Sequence, residues 1–531
     1  MMRASFAAAV AITAATGLSP MGPALGQDDT ERQFGTVHFA TSCNETAQRR
    51  FDRAMRYQHS FWYQASKEIF DDVLKADPEC GIAYWGIALS LLFNPHAPPP
   101  APNLPLGFAA IQKGKAVGAK TQRERDYIDA LAVFYTDYDK MTHGARVQAY
   151  LKAMEALAQK YPDDDEAQIF YAITLNVAAS PSDKTYSNQL KGAALLEPIF
   201  RRQPRHPGVA HYLIHLYDTP ALAEKGLDAA RRYAGIAPAA PHAQHMPSHI
   251  FTRVGAWNDS IASNIASARA AKDGKDFDEQ LHAMDYMVYA YLQLARDQEA
   301  RAVVDDMNAV IGTNPDRFVG PYALAVAPAR YALERGDWKG AAQLQVKPSK
   351  FAYADAMTHF ARALGAARSG NPEAARADLA RLAELRETLR QAKDSYWAEQ
   401  VDIQRQVATA WVLYAEGKYD DALRSMSAAA DAEDKTEKHP VTPGVPTPAR
   451  ELLGAMLLDR EMAREALAAF EATIKKEPNR FNAFAGAARA AERSGDNAKA
   501  KDYYQRLTSL ANNAGTARPA LVAAREFLAK N

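Results

Sequence analysis

The chain has 531 residues, too many for one small core, so length alone implies three or four conventional domains or one long array whose units pack on their neighbours. Lys+Arg and Asp+Glu are both 63, which leaves no net field to draw in nucleic acid or an anionic membrane. Abundant alanine, modest glycine and scarce alternating β-branched runs favour helices that pack closely through small side chains.

In chain order, the first segment reads as an export signal over residues 1–26. Arg3 supplies a short positive region, Ala4 to Leu18 an apolar stretch, and Ala24-Leu25-Gly26 a small-x-small cleavage site before Gln27. The stretch is short for a membrane span, and no later run of about 20 apolar residues follows. A soluble protein, periplasmic or secreted, is therefore expected, with residues 27–44 as an N-terminal extension. Cys43 and Cys80 are the two cysteines. In an oxidising compartment they pair most simply as a disulfide, which would close a loop worth roughly 3–4 kcal/mol. A redox pair is the alternative, but Cys-x-x-Cys spacing is absent, so the bridge reads as a staple for the first repeat. Trp62, Tyr63, Tyr84 and Trp85 read as core packing, and the run Arg123-Glu124-Arg125-Asp126 as a solvated helix start.

Self-similarity dominates the rest. Turns of one kind recur at Gly255-Ala256-Trp257-Asn258-Asp259-Ser260, Gly336-Asp337-Trp338-Lys339-Gly340-Ala341, Gly370 to Ala375, Gly417 to Ala422 and Gly495 to Ala500. Each ends on a small residue, as two closely crossing helices require. Ala341 to Ala375 and Ala466 to Ala500 are both 34 residues apart, as are Pro204 to Pro238 and Pro207 to Pro241. These marks resemble the tetratricopeptide (TPR) repeat family over most of 45–512. The resemblance implies an all-α fold, a TPR-type solenoid of about ten or eleven antiparallel helix pairs. The expected organisation is N-terminal repeats over 45–205, central repeats over 206–300, further repeats over 301–435, a Pro-rich loop at 436–449, C-terminal repeats over 450–512, and a cap at 513–531. Two proline-rich stretches, Asn94 to Pro102 and His439 to Pro448, are stiff and polyproline-like, and are expected to fold over a groove. A weaker resemblance, to exported bacterial TPR proteins of no established activity, rests on His211-Tyr212-Leu213-Ile214-His215, His245-Met246-Pro247-Ser248-His249-Ile250-Phe251 and Tyr84-Trp85-Gly86.

Chemistry concentrates in the middle. Six of the thirteen histidines fall between 206 and 249, and His282 follows. His211 and His245 are one 34-residue period apart, as are His215 and His249. Within each pair the i,i+4 spacing points both rings the same way from a helix. Registered on Ser260, His242, His245 and His249 take repeat positions that, as the resemblance implies, line the concave face. His282 and Asp285 take equivalent places in the next repeat, and Asp218 follows His215 in the previous one. Clustered neutral imidazoles suit Zn²⁺, Cu²⁺, Ni²⁺ or Fe²⁺, with Zn or Cu foremost. Asp218 and Asp285 could be ligands or acceptors that fix a histidine tautomer. Pro247 lies between His245 and His249, where it would start a helix or kink one. His96, His359 and His439 are isolated in sequence.

Phosphate-loop, His-Glu-x-x-His and Gly-x-Ser-x-Gly motifs are absent. The expected function is thus capture of a peptide, protein segment or small ligand in the groove, with a His-rich metal site in the central repeats. The alternative is a metal-dependent hydrolase or oxidase whose active site is that cluster. Nucleic acid is not an expected partner.

Overall fold

The structure, a computed structural model, describes residues 27–515 and 518–531; the expected export signal lies outside the described residues. Every regular element among them is a helix. From Glu45–His59 and Tyr63–Ala76 to Phe481–Arg493 and Asn497–Leu510 they form twelve antiparallel pairs, and Pro519–Lys530 caps the array. This is a TPR-type α-solenoid. It holds slightly more pairs than expected because some second helices are trimmed, Trp338–Ala342 to five residues.

The repeated turns work as their residues dictate. Gly255, Gly336, Gly370, Gly417 and Gly495 all sit at positive φ, between 65° and 83°, where glycine ends a helix without a Cβ penalty. The small residues that follow, Ser260, Ala341, Ala375, Ala422 and Ala500, have no exposed surface, so each lets the second helix settle directly on the first. At the corresponding turn of the first pair the left-handed residue is Phe61 instead, with φ 55°.

Cys43 and Cys80 are joined by a disulfide, which ties the N-terminal extension to the start of the second pair. Glu124 departs from the solvated reading of its run. It is buried, accepts from the Ser42 backbone and hydroxyl at 2.8 and 2.7 Å, and forms a capping box with Thr121. The run therefore anchors the extension. Among the described residues, no helix is long and apolar enough to cross a membrane.

Both ends of the array return to its middle. The Thr36 backbone N–H donates to the Arg205 carbonyl, and the Ala239 N–H to the Gln33 carbonyl. The first pair also reaches Pro207–Tyr217, where His59 meets the Tyr212 hydroxyl at 3.1 Å. From the other end, Trp257 Nε1 donates to the Asn479 carbonyl at 2.7 Å. Arg480, fully buried, donates to Glu334, Glu451 and the Tyr289 hydroxyl.

The proline-rich segments cover the inner face. Lys438 binds Asp218, Tyr286 donates to the Val441 carbonyl, Arg330 donates to the Val445 carbonyl, and His439 stacks on Trp397 at 5.1 Å. Val441, Thr442 and Thr447 are buried beneath the neighbouring helices.

Candidate metal centre

Three consecutive first helices carry the histidines: Pro207–Tyr217, the kinked Pro241–His245 with Pro247–Arg253, and Phe277–Gln293. Pro247 kinks its helix without redirecting it. Met246, between the two segments, keeps helical angles (φ −54°, ψ −35°), so His245 and His249 remain on one face. The kink lies where the N-terminal hydrophobic cluster ends at Ile250 and the next begins at Trp257.

All six predicted histidines are buried and converge as two triads, His211/His215/His242 and His245/His249/His282. In each triad, one nitrogen from every ring lies within 4.8 Å of those of the other two. The triads are built alike. Each takes an i,i+4 pair from one helix and a third ring from the first helix of the next repeat.

The tautomers follow from what each ring touches. His211 Nδ1 donates to the His59 carbonyl at 2.7 Å, and a carbonyl can only accept. His242 Nδ1 donates to Glu279 at 2.8 Å, and His249 Nδ1 to Asp218 at 2.9 Å. His245 Nδ1 donates to Asn264 Oδ1 at 2.6 Å; Asn264 is oriented by giving its own amide hydrogen to the Ser260 carbonyl. Four rings are thus held with Nδ1 protonated and Nε2 as the lone-pair nitrogen, the arrangement seen in metal-ligating histidines; the Tyr286 hydroxyl lies 3.2 Å from the His249 Nε2.

Those lone pairs face one another. His245 Nε2 and His249 Nε2 are 3.0 Å apart, and no tautomer of the neutral rings puts a proton between them without forfeiting a bond to Asn264 or Asp218. His211 Nε2 and His215 Nε2 are 3.1 Å apart; here His215 Nε2–H can donate to His211, and the buried His215 Nδ1 is unpartnered in either tautomer. His242 Nε2 is buried and unpartnered too. Protonation is a costly remedy. Burial first, and then the neighbouring rings, push His211, His215, His245 and His282 well below the usual imidazole range, and burial takes His249 down to about 4.

The two predicted carboxylates behave differently. Asp218 sits behind His249, gripped by Arg253 at 2.8 Å and Lys438 at 2.9 Å. Burial alone would raise its pKa, but Lys438, Arg253 and His249 outweigh that and keep it ionised. It is the tautomer-fixing acceptor. Asp285 pairs through Oδ1 with Arg330 at 3.7 Å, too long for a hydrogen bond, and burial raises it to about 6; it belongs to neither triad.

Sequence reasoning missed Glu279, Asn264, the His59 carbonyl, Phe61 and His96. The first three act from behind the ligands, and no spacing rule links them to the histidines. His96, from the first proline-rich stretch, packs on His215 at 4.5 Å with its Nε2 buried and unpartnered. Phe61 lies 4.3 Å from His211 and 5.1 Å from His242. A third group, His59, Glu166 and His206, is satisfied internally. Glu166 takes both Nε2 protons at 3.0 and 2.9 Å, and the two Nδ1 atoms meet Tyr212 and the Val209 N–H. That group is structural, with no lone pair left for an ion. His359 pairs with Asp378 away from the centre.

No family model matches the chain, and no curated protein matches it. Among solved structures, a monomeric mutant of IFIT1 with Gppp-AAAA is 12% identical, over 91% of this chain and 99% of that one, with a TM-score of 0.40. The human IFIT1 dimer with PPP-AAAA is 11% identical over the same shares, with a TM-score of 0.39. Yeast Tom70 is 11% identical over 92% of this chain and 96% of its own, with a TM-score of 0.34. At such distances the helix pairs themselves carry the fold assignment, and the histidine geometry has to carry any function.

Proposed function

We propose that the protein is an exported helical-repeat metalloprotein whose inner face holds a transition-metal centre on His211, His215, His242, His245, His249 and His282. One observation carries this reading: two buried, neutral imidazoles, each pinned at Nδ1, aim their Nε2 lone pairs at each other across 3.0 Å, with the Tyr286 hydroxyl 3.2 Å from the His249 Nε2. Lone pairs so placed repel, and a buried polar atom left unmatched costs about 1–3 kcal/mol. A cation between them turns that cost into ligation. Nitrogen-only donors of this kind suit copper or zinc. The disulfide supports export, since such bridges persist in oxidising compartments.

The covered groove favours a small ligand over a peptide as the thing captured, because the chain's own 438–447 segment occupies the inner face. Three protein ligands per ion leave a coordination position open, which is the arrangement of catalytic rather than closed structural sites. That supports the enzymatic reading as the second choice.

Elemental analysis of full-length protein exported to an oxidising compartment and purified without chelator tests the proposal. At least one equivalent of copper or zinc per chain is expected, falling in the His211→Ala/His245→Ala double variant. Only trace metal, before and after reloading, would refute it.

A further inference from the structure

The two triads adjoin. Ring centroids across the boundary are 5.9 Å apart for His242 and His245 and 6.0 Å for His215 and His249. Within the triads the separations run from 4.3 to 6.5 Å. Two ions seated in the triads would therefore be neighbours rather than occupants of separate sites.

The surrounding charge decides which ions fit. Imidazole ligands bring no charge of their own. Asp218 is offset by Lys438 and Arg253, with Glu437 3.9 Å from Arg253. Asp285 faces Arg330. Glu279, bonded to His242, shares Arg317 with Asp276 and Asp278, so about two negative charges on that side remain to balance bound metal. A pair of divalent ions would bring four positive charges against them, and uncompensated buried charge is expensive. A pair of monovalent ions halves that load. Copper is the metal of this donor class with a stable monovalent state, and in its divalent state it stands highest in affinity for nitrogen sites.

A largely apolar, partly open pocket of about 70 Å³, lined by residues that include Phe61, Tyr63, Phe93, Phe134, Gln58 and His143, is separated from the first triad by Phe61. Phe61 is the shared wall, stacked near His211 and His242 on its other side. An apolar cavity of about 150 Å³ stays dry and admits benzene. A pocket of half that size has room for a ligand as small as dioxygen. Phe61 holds this place despite left-handed backbone (φ 55°), a conformation that costs a residue with a side chain roughly 1–2 kcal/mol.

We infer that the two triads form one dinuclear copper centre that binds dioxygen, an inference that rests on the metal-centre reading above and extends it. Each copper(I) gives up one electron, and dioxygen accepts both. The result is a two-electron-reduced O₂ ligand held between two copper(II) ions, with the O–O bond intact. No proton enters and no bond to the protein forms, so loss of O₂ returns both electrons to the metals.

The test uses the full-length chain, stripped of metal and loaded anaerobically with copper(I). The expected result is two coppers per chain, uptake of one dioxygen per two coppers on admitting air, and little EPR signal, because paired copper(II) spins cancel. His249→Gln is expected to keep one copper, give a full single-copper signal and take up no dioxygen. Circular dichroism shows whether that variant folds, and the unmodified chain decides the matter if it does not. Two coppers with both spins visible, or two coppers without uptake, would overturn the inference. One metal ion per chain would overturn it too, while sparing the metal-centre reading. Failure to retain copper or zinc would remove both.

Discussion

Glu279→Gln isolates the link between a carboxylate behind the centre and the metal in front of it. Glu279 touches the first triad through one bond, its Oε1 accepting from His242 Nδ1 at 2.8 Å. Burial would raise Glu279, but its contact with His242 outweighs that and holds the group ionised. Glutamine keeps the shape and can still accept through its amide oxygen, so only the charge is lost. Loss of such a partner costs about 10–100-fold in metal affinity, or roughly 1.4–2.7 kcal/mol. The second triad is oriented by Asn264 and Asp218 instead and meets Glu279 only through the longer-range field at His245, so it serves as the less affected comparison. A competitive titration against a coloured chelator should show one metal weakened by that factor and the other nearly unchanged. Unaltered affinity for both, or equal weakening of both, would refute the assignment of Glu279 to His242. Melting the metal-free proteins side by side separates a ligand effect from a general loss of stability.

Three further outcomes follow from the fold. Replacing Cys43 and Cys80 by alanine removes a crosslink across 37 residues; the N-terminal pairs should lose roughly 4 kcal/mol in denaturant titration, and a change near zero would mean the extension holds without the bridge. Gly208→Ala would place a Cβ 2.4 Å from His59 Nδ1; a loss of about 1–3 kcal/mol is expected, with weaker metal binding because the His59 carbonyl holds His211, and normal affinity would break that connection. Burial raises Glu433 to about 7 against the pull of Lys476, so the stability it contributes is fully present below its ordinary value near 4.3 and is lost as pH rises through about 7. Glu433→Gln should therefore gain on the parent protein as pH rises from about 4.5 to 8 in thermal melts, and parallel profiles would sink the argument.

The glycine turns, the small residues after them and the 34-residue spacing made the helix pairs legible before any coordinates, because each pair is a local structure set by neighbours in sequence. The same spacing put His211 with His245 and His215 with His249 in equivalent places, and i,i+4 geometry faced each pair one way. Those are short-range consequences of helix periodicity, and they bring four of the six rings within reach of one another along two adjacent helices, with His242 added by the register on Ser260. His282 came from the next register of the repeat.

What the repeat could not carry is anything arising between distant segments. The arrangement as two triads depends on how three helices stack around the Pro247 kink. Asp218 and Asp285 look alike in register, yet one is bound by Lys438 and Arg253 behind His249 while the other faces Arg330. Phe61 and the His59 carbonyl reach the centre because the first pair folds back on Pro207–Tyr217, some 150 residues later. The segment at 438–447 covers it from the far side of the array. Periodicity chose the ligands, since side-chain direction on a helix is a local property. Closure of the superhelix on its own middle made them buried, neutral and tautomerically fixed, since burial requires contact between residues far apart in sequence.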